Sequence, residues 1–404
     1  MLVRDIGSKF TPLYFLASLG AGGLAVSFFI YLMFLLPHPN TAMVTFGDVW
    51  PILTGPSLFN ALLTGLAISS ILFFAYWHFR LLFWNIREFG LFKQTDAYQK
   101  LLVSNSEIAL MTIPLTLAMT VNVSFVLGAL LIPNLWSIVE WLFPLAISAF
   151  FVIGVFAMKI LVRYFSRALV GGNVDFATNN SLAPMVSIFA LSMIAVGFAA
   201  PASMSKITTV IAISIALSLF FMTIAVLLAI VKLVNGFQSM MINGISESAS
   251  PSLWIMIPIL TLLGISWIRL SHGLNHGFDS SLHYSGLFVG SMVVVSAQIL
   301  FGLLGYAVMR HLGYFKQYIH GEKGDAGTFA LVCPGVAFFV FGMFFINVGL
   351  THNDIITHRS WVYFLLMAPF VYVQLKTVQV FWKLKNKLLT RRSNLLEQPA
   401  TPHS

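Results

Sequence analysis

The stretch Thr328–Gly342, "TFALVCPGVAFFVFG", places Pro334 inside an otherwise hydrophobic run that continues to Leu350. Three other runs repeat that setting: "MTIPLTL" at Pro114, "SLAPMVS" at Pro184 and "IMIPILT" at Pro258. The four prolines are 70, 74 and 76 residues apart, close to the length of one helical hairpin each. A weaker counterpart is Pro12 in "FTPLYF". Proline lacks an N–H and clashes with the preceding helical turn, so it kinks the helix and frees a carbonyl. In a bilayer that carbonyl must face protein or a water-filled cavity. The interval predicts five hairpins around an axis, with the proline-bearing helices lining a central path. Proline is also commoner in membrane helices generally, and Pro144 and Pro369 lie outside the series.

Composition agrees with a membrane chain. It is 58% hydrophobic and 9% charged, where a soluble domain carries about 25% charged residues. Ten apolar runs can each cross a hydrocarbon core of roughly 30 Å as a helix. They lie near 13–36, 56–79, 107–132, 136–161, 183–202, 208–233, 252–270, 284–309, 328–350 and 360–382. The expected fold class is an all-α polytopic membrane protein, a single transmembrane domain over 1–390 followed by a disordered cytoplasmic tail, 391–404. The first run lacks a small-residue cleavage site and reads as a retained span. In a ten-span topology, 19 of the 22 Lys and Arg fall on one side, leaving Lys206, Arg269 and Arg359 on the other. Positive residues stay inside, so both termini are expected in the cytoplasm and the protein in the cell inner membrane. The net charge of +9 then belongs with anionic lipid headgroups of the bilayer rather than with nucleic acid.

The odd-numbered spans supply small and neutral polar residues: Ser18, Gly20, Gly22 and Gly23; Thr112, Thr116, Thr120, Asn122 and Ser124; Ser187 and Ser192; Thr261 and Ser266; Asn347. Gly20 to Gly23 ("GAGG") also suits close helix packing. Only Glu107 and Arg269, both read as span ends, are ionisable. Ion-coupled carriers commonly keep an acid or histidine at the midplane. A path without charge fits passive permeation, with selectivity from pore width, hydroxyls and helix dipoles. The same hydroxyls can instead bond their own helix backbone.

The proline-marked hairpins, with "SPSLWIMIPILTLLGI" (Ser250–Ile265) and the broken ninth span, resemble the tellurite-resistance/dicarboxylate transporter family. That family includes the TehA-like proteins and the slow-type anion channels. The resemblance implies ten helices around a quasi-fivefold central pore, a homotrimer, and a small anion as the permeating partner. It also implies a gate at the proline step of the ninth helix, where the family carries phenylalanine and this chain carries Cys333-Pro334. Phe329, Phe338 or Phe339 is then expected to serve as the occluding ring. "PLYFLASLGAGGLAVSFF" (Pro12–Phe29) resembles the TsoY family, some of whose members contain selenocysteine. If that selenocysteine aligns with Cys333, the position carries chemistry rather than packing.

Cys333 is the one cysteine, so no intramolecular disulfide can form. Beside a helix break, free amides favour a thiolate; a buried cysteine otherwise behaves as a small hydrophobe. Oxidation would need an external thiol for recovery. In "RLSHGLNHGFDSSLHY" (Arg269–Tyr284), His272 and His276 share a helical face, with Asp279 and His283 following. Together with His38, His352, Asp354 and His358 they can be solvated capping groups, an anion-attracting vestibule with Arg269 and Arg359, or a metal site at His272, His276 and His283. No phosphate loop or nucleophile motif is present, so no catalytic residue is assigned and no cofactor is expected.

The first reading is an inner-membrane channel or transporter for a small anion. Its pore and gate candidates are Pro114, Thr116, Thr120, Pro184, Pro258, Thr261, Phe329, Cys333, Pro334, Phe338, Phe339 and Asn347. The alternative is a membrane redox enzyme using Cys333, or a haem- or quinone-binding subunit using histidines such as His78, His272 and His276.

Overall fold

The computed structural model describes residues 2–171, 181–278 and 280–390; the tail 391–404 and Asp279 lie outside the described residues. Ten long apolar helices account for most of the chain, and no named strand occurs among the described residues. They are α1 (Pro12–Leu35), α2 (Leu58–Phe92), α3 (Asn105–Leu131), α4 (Leu135–Val170), α5 (Ala183–Met204), α6 (Thr208–Asn243), α7 (Ser250–Phe278), α8 (Tyr284–His311), α9 (Ala326–Asn353) and α10 (Trp361–Leu389). The protein is a multi-pass, all-α membrane protein.

Burial divides the helices into two layers. In the most apolar stretch of each odd helix, 56–89% of residues are buried, against 22–33% in the even helices. The cause is compositional. α1, α5 and α9 are apolar or small on every side, so they must be enclosed by protein. The even helices turn large apolar side chains outward, among them Leu62, Trp141, Leu227, Leu300 and Leu365, where only lipid can cover them. Inter-helix contacts run α1–α3, α3–α5, α5–α7, α7–α9 and α9–α1, and each odd helix also packs on the even helix that follows it.

Each of those five hairpins carries a polar staple. The α2 imidazole of His78 places Nδ1 2.8 Å from the Ser18 carbonyl of α1. Glu107 of α3 binds Arg163 (2.6 Å) and Arg167 (2.9 Å) of α4. Ser218 of α6 donates to the Ala195 carbonyl of α5 at 2.9 Å. Gln298 of α8 donates to the Thr261 hydroxyl of α7 at 2.6 Å, and Tyr363 of α10 donates to Asn347 of α9 at 3.1 Å. With lipid outside as apolar as the interior, such bonds and close backbone approach hold helices together. Glu107 is fully buried whereas Arg163 is about half exposed. Glu107→Ala is therefore expected to cost about 2 kcal/mol, below the 3–5 kcal/mol for a wholly buried pair, because water resolvates the arginines. A thermal-unfolding shift in nanodiscs measures it, with Glu107→Gln falling between.

Both ends of the described residues lie at one face, joined by the Leu2–Thr390 bridge and a 3.0 Å bond from Val3 N–H to the Leu389 carbonyl. We call this the terminal face; every odd helix starts there. Each odd helix opens with a 3₁₀ segment: Pro12–Tyr14, Asn105–Met111, Ala183–Met185, Ser250–Ile255 and Ala326–Leu331. Pro114, Pro258 and Pro334 occupy the third residue of the α segment that follows. Pro12 and Pro184 sit within the 3₁₀ turn itself. The proline series thus marks the change from 3₁₀ to α winding in the first turn, where a missing N–H is least costly. The 3₁₀ segment of α9 is N-capped by Asp325, whose carboxylate accepts from Gly327 N–H at 3.2 Å. Burial raises the pKa of that carboxyl, and the backbone bonds partly offset it.

The helices outrun the apolar windows. α2 continues to Phe92, α6 to Asn243 and α7 to Phe278, because backbone hydrogen bonding persists into the interface after hydropathy falls. For α7 this corrects the expected span end near 270. Arg269 lies nine residues inside the helix, about 13 Å from its end.

Candidate functional site

A cavity of about 990 Å³ lies among the odd helices. All five contribute to its wall, with α4 and the segment after α1 adding to one side. Its mouth is at the face opposite the termini, where Pro37, His276, His352 and His358 are exposed. Its deepest lining residues are Leu19, Gly20, Met119, Phe189, Pro258 and Cys333. On the terminal side of that floor, Phe15, Met111, Met185 and Phe329 are buried in one apolar cluster and do not line the cavity. Among the described residues the chamber is open at one face and separated from the other by this buried cluster.

The wall is chiefly Val, Leu, Ile, Met and Phe. On α9 the lining residues Cys333, Val336, Ala337, Val340, Phe344, Asn347, Val348 and Thr351 form one face counted in steps of three and four, with His352 following at the mouth. Phe345–Leu350 is wound as a π-helix, a local widening frequent at functional sites. It holds Asn347, whose amide donates to the Met343 carbonyl at 2.8 Å. The glycines of α1 let neighbours approach. A Cβ on Gly20 would meet Val332 at 2.9 Å, one on Gly23 would meet Val336 at 3.2 Å, and one on Gly22 would meet His78 at 2.7 Å.

Arg269 is the feature sequence reading undervalued. Its guanidinium donates to the Val196 carbonyl of α5 at 3.0 Å and lines the cavity. No carboxylate lines the cavity among the described residues, and none pairs with Arg269. An arginine carries five N–H donors and keeps its charge at any ordinary pH, so most of this fork is free for a ligand. Toward the mouth stand His272, His276, His352 and His358. Tyr284 makes edge contacts with His272 and His352, at centroid separations of 6.4 and 5.0 Å.

Four of the expected pore residues line the cavity: Pro258, Thr261, Cys333 and Asn347. Cys333 is buried at the floor with 8% exposure. The remaining ones do not line it. Thr116 donates to the Thr112 carbonyl at 2.8 Å, and the Phe15 carbonyl lies 3.2 Å away, so it ties α3 to α1. Thr120 lies 3.0 Å from His78 Nε2 and bonds the Thr116 carbonyl. Pro114, Pro184 and Pro334 are buried in helix packing. None of the three expected occluding rings faces the chamber. Phe338 packs on Phe370 of α10 at 4.8 Å, Phe339 on Tyr31 of α1 at 5.0 Å, and Phe329 is fully buried beyond the floor. Residues 338 and 339 lie on the helix face opposite the Cys333 row, which is the physical reason.

The expected triad of His272, His276 and His283 does not assemble. His283 sits in a separate small pocket against Ser281 (3.1 Å), just ahead of α8, while the other two line the main cavity. Among the described residues no group of three metal-ligating side chains forms. His78, offered as a haem or quinone ligand, has Nδ1 on Ser18 and Nε2 on Thr120 and is fully buried away from the cavity. Arg359 does not line the cavity; it donates to the Leu35 carbonyl.

Comparison with family models, with curated proteins and with solved structures finds no match for this chain.

Proposed function

We propose that this protein is a channel or transporter that passes a small anion along the axis between its odd helices. The five hairpins in this reading surround a quasi-fivefold path, as the resemblance to the TehA-like family implies. The observation that carries it is Arg269: a permanent cation in the wall of a deep chamber, without a carboxylate to neutralise it among the described residues. Desolvated charge without a partner is costly, and a transiently bound anion offsets that cost. The helix ends at the mouth add the imidazoles of His272, His276, His352 and His358, whose N–H groups can donate to an entering anion. The buried layer of Phe15, Met111, Met185 and Phe329 acts as the gate, and Cys333 lies on the cavity side of it.

The bias of Lys and Arg toward the terminal face supports an inner-membrane protein with both termini in the cytoplasm. The chamber then opens to the outside. Anion flux in proteoliposomes tests the reading, with chloride, nitrate, sulfite and methanesulfonate as the panel. Wild type is expected to conduct at least one of them. Cys333→Phe places a ring in the floor and is expected to lower that flux at least tenfold, while Cys333→Ala keeps it within twofold. If neither wild type nor Cys333→Ala passes any anion of the panel, the proposal fails.

A further inference from the structure

The placement of Arg269 relative to the chamber specifies the ligand more closely. This inference rests on the reading of the cavity as an anion site. Arg269 is eleven residues above Pro258 at the floor, about 16 Å along α7. Between those levels the wall is mostly apolar, with Leu262 and Ile265 from α7, Val336 and Val340 from α9 and Phe189 and Met193 from α5; Thr261 of α7 and Asn122 of α3 are its uncharged polar members. A bare inorganic anion held at Arg269 would leave this volume unused, and one moved below it would lose its hydration with little polar wall to replace it. A chamber of about 990 Å³ is at the upper end of cavities that enclose drug-sized organic ligands, which run to roughly 1,000 Å³.

We infer that the chamber binds an amphipathic organic anion, its carboxylate, sulfonate or phosphate on Arg269 and its apolar body directed toward Cys333. The polar head enters last and faces the mouth. The apolar body gains by leaving water, and the arginine fork supplies orientation, since it matches planar or trigonal oxyanions in a bidentate manner. An uncharged alcohol of equal length lacks the group that Arg269 recognises.

Linear alkyl sulfonates from methane- to octanesulfonate test this, because they stay ionised and cannot cross lipid by protonation. Binding is measured by titration calorimetry on the protein in nanodiscs, with empty nanodiscs subtracted. Affinity is expected to rise about three- to fourfold per added methylene, with octanol not bound at the same site. Arg269→Gln is expected to remove the sulfonate preference, Arg269→Lys to retain part of it, and Val336→Trp, which fills the chamber, to flatten the chain-length dependence. Chain-length-independent binding, or octanol equal to octanesulfonate, overturns the inference while leaving an anion path intact. Steep, Arg269-dependent binding without flux of any sulfonate keeps the site and removes the transport reading. No binding and no flux removes both.

Discussion

Glutamine at position 269 is expected to lower anion flux through the reconstituted protein roughly 30- to 150-fold, corresponding to about 2–3 kcal/mol for a lost charge-assisted contact. Glutamine keeps a donor that can still reach the Val196 carbonyl, now 3.0 Å from the guanidinium, so α5 and α7 stay in register. What disappears is the permanent charge in a wall where few other polar groups can take its place. Lysine keeps the charge without the fork and is expected to fall between, nearer wild type for a spherical anion than for an oxyanion. Histidine replacement at the mouth, His276→Gln, exchanges one N–H donor for another at an exposed position and is expected to act less than fivefold. Flux within twofold of wild type for Arg269→Gln would mean that the arginine serves only to tie α7 to Val196.

The largest structural effect is expected at Gly273, on the next turn of α7. A Cβ there would lie 2.6 Å from the Ala202 carbonyl oxygen of α5 and 3.0 Å from its carbon. Those are backbone atoms, so no rotamer change relieves the contact and the two helices must separate. Overpacking costs typically 1–3 kcal/mol, and Gly273→Val is expected at the top of that range, about 3 kcal/mol. The separation also moves Arg269 away from Val196, so binding weakens with stability. Gly286 of α8 supplies the control. Nothing lies within 4 Å of a Cβ built there, and Gly286→Val is expected to change unfolding by less than about 0.5 kcal/mol, the ordinary size of a surface change. Equal shifts for the two variants would show that the α5–α7 approach is not tight in the membrane.

The glycines of α7 also show where sequence reading stopped. Arg269 closed the apolar run near residue 270, and Gly273 and Gly277 beyond it are intrinsically poor helix formers. In the fold they allow close approach instead: a Cβ on Gly277 would meet Ile211 of α6 at 2.9 Å. Once α7 is continuous to Phe278, Arg269 is no longer a terminal charge but part of the chamber wall. The α9 row teaches the opposite lesson. Counting threes and fours from Cys333 gives Val336, Ala337, Val340, Phe344 and Asn347, all lining residues. The same count excludes Phe338 and Phe339, so that part of the site was legible in the periodicity alone.

The hydroxyls were visible but ambiguous. Thr261 both donates to the Ala337 carbonyl at 3.0 Å and lines the chamber. Thr116 likewise bonds the Thr112 carbonyl of its own helix and reaches the Phe15 carbonyl of α1, and Ser266 bonds the Leu262 carbonyl one turn back, yet neither lines the chamber. A one-dimensional list of polar residues cannot separate these cases, because both satisfy the same hydrogen-bonding need in an apolar medium.

Hydropathy alone determined the ten helices and the all-α class, because backbone groups in lipid have no partner but their own helix. The proline interval marked where each odd helix begins. Which residues face one another was decided only by tertiary packing. The side on which Cys333 looks, the depth of Arg269 and the parting of His283 from His272 depend on how glycine-lined surfaces bring separate helices into contact, and that approach is a property of pairs of helices rather than of any one stretch of chain.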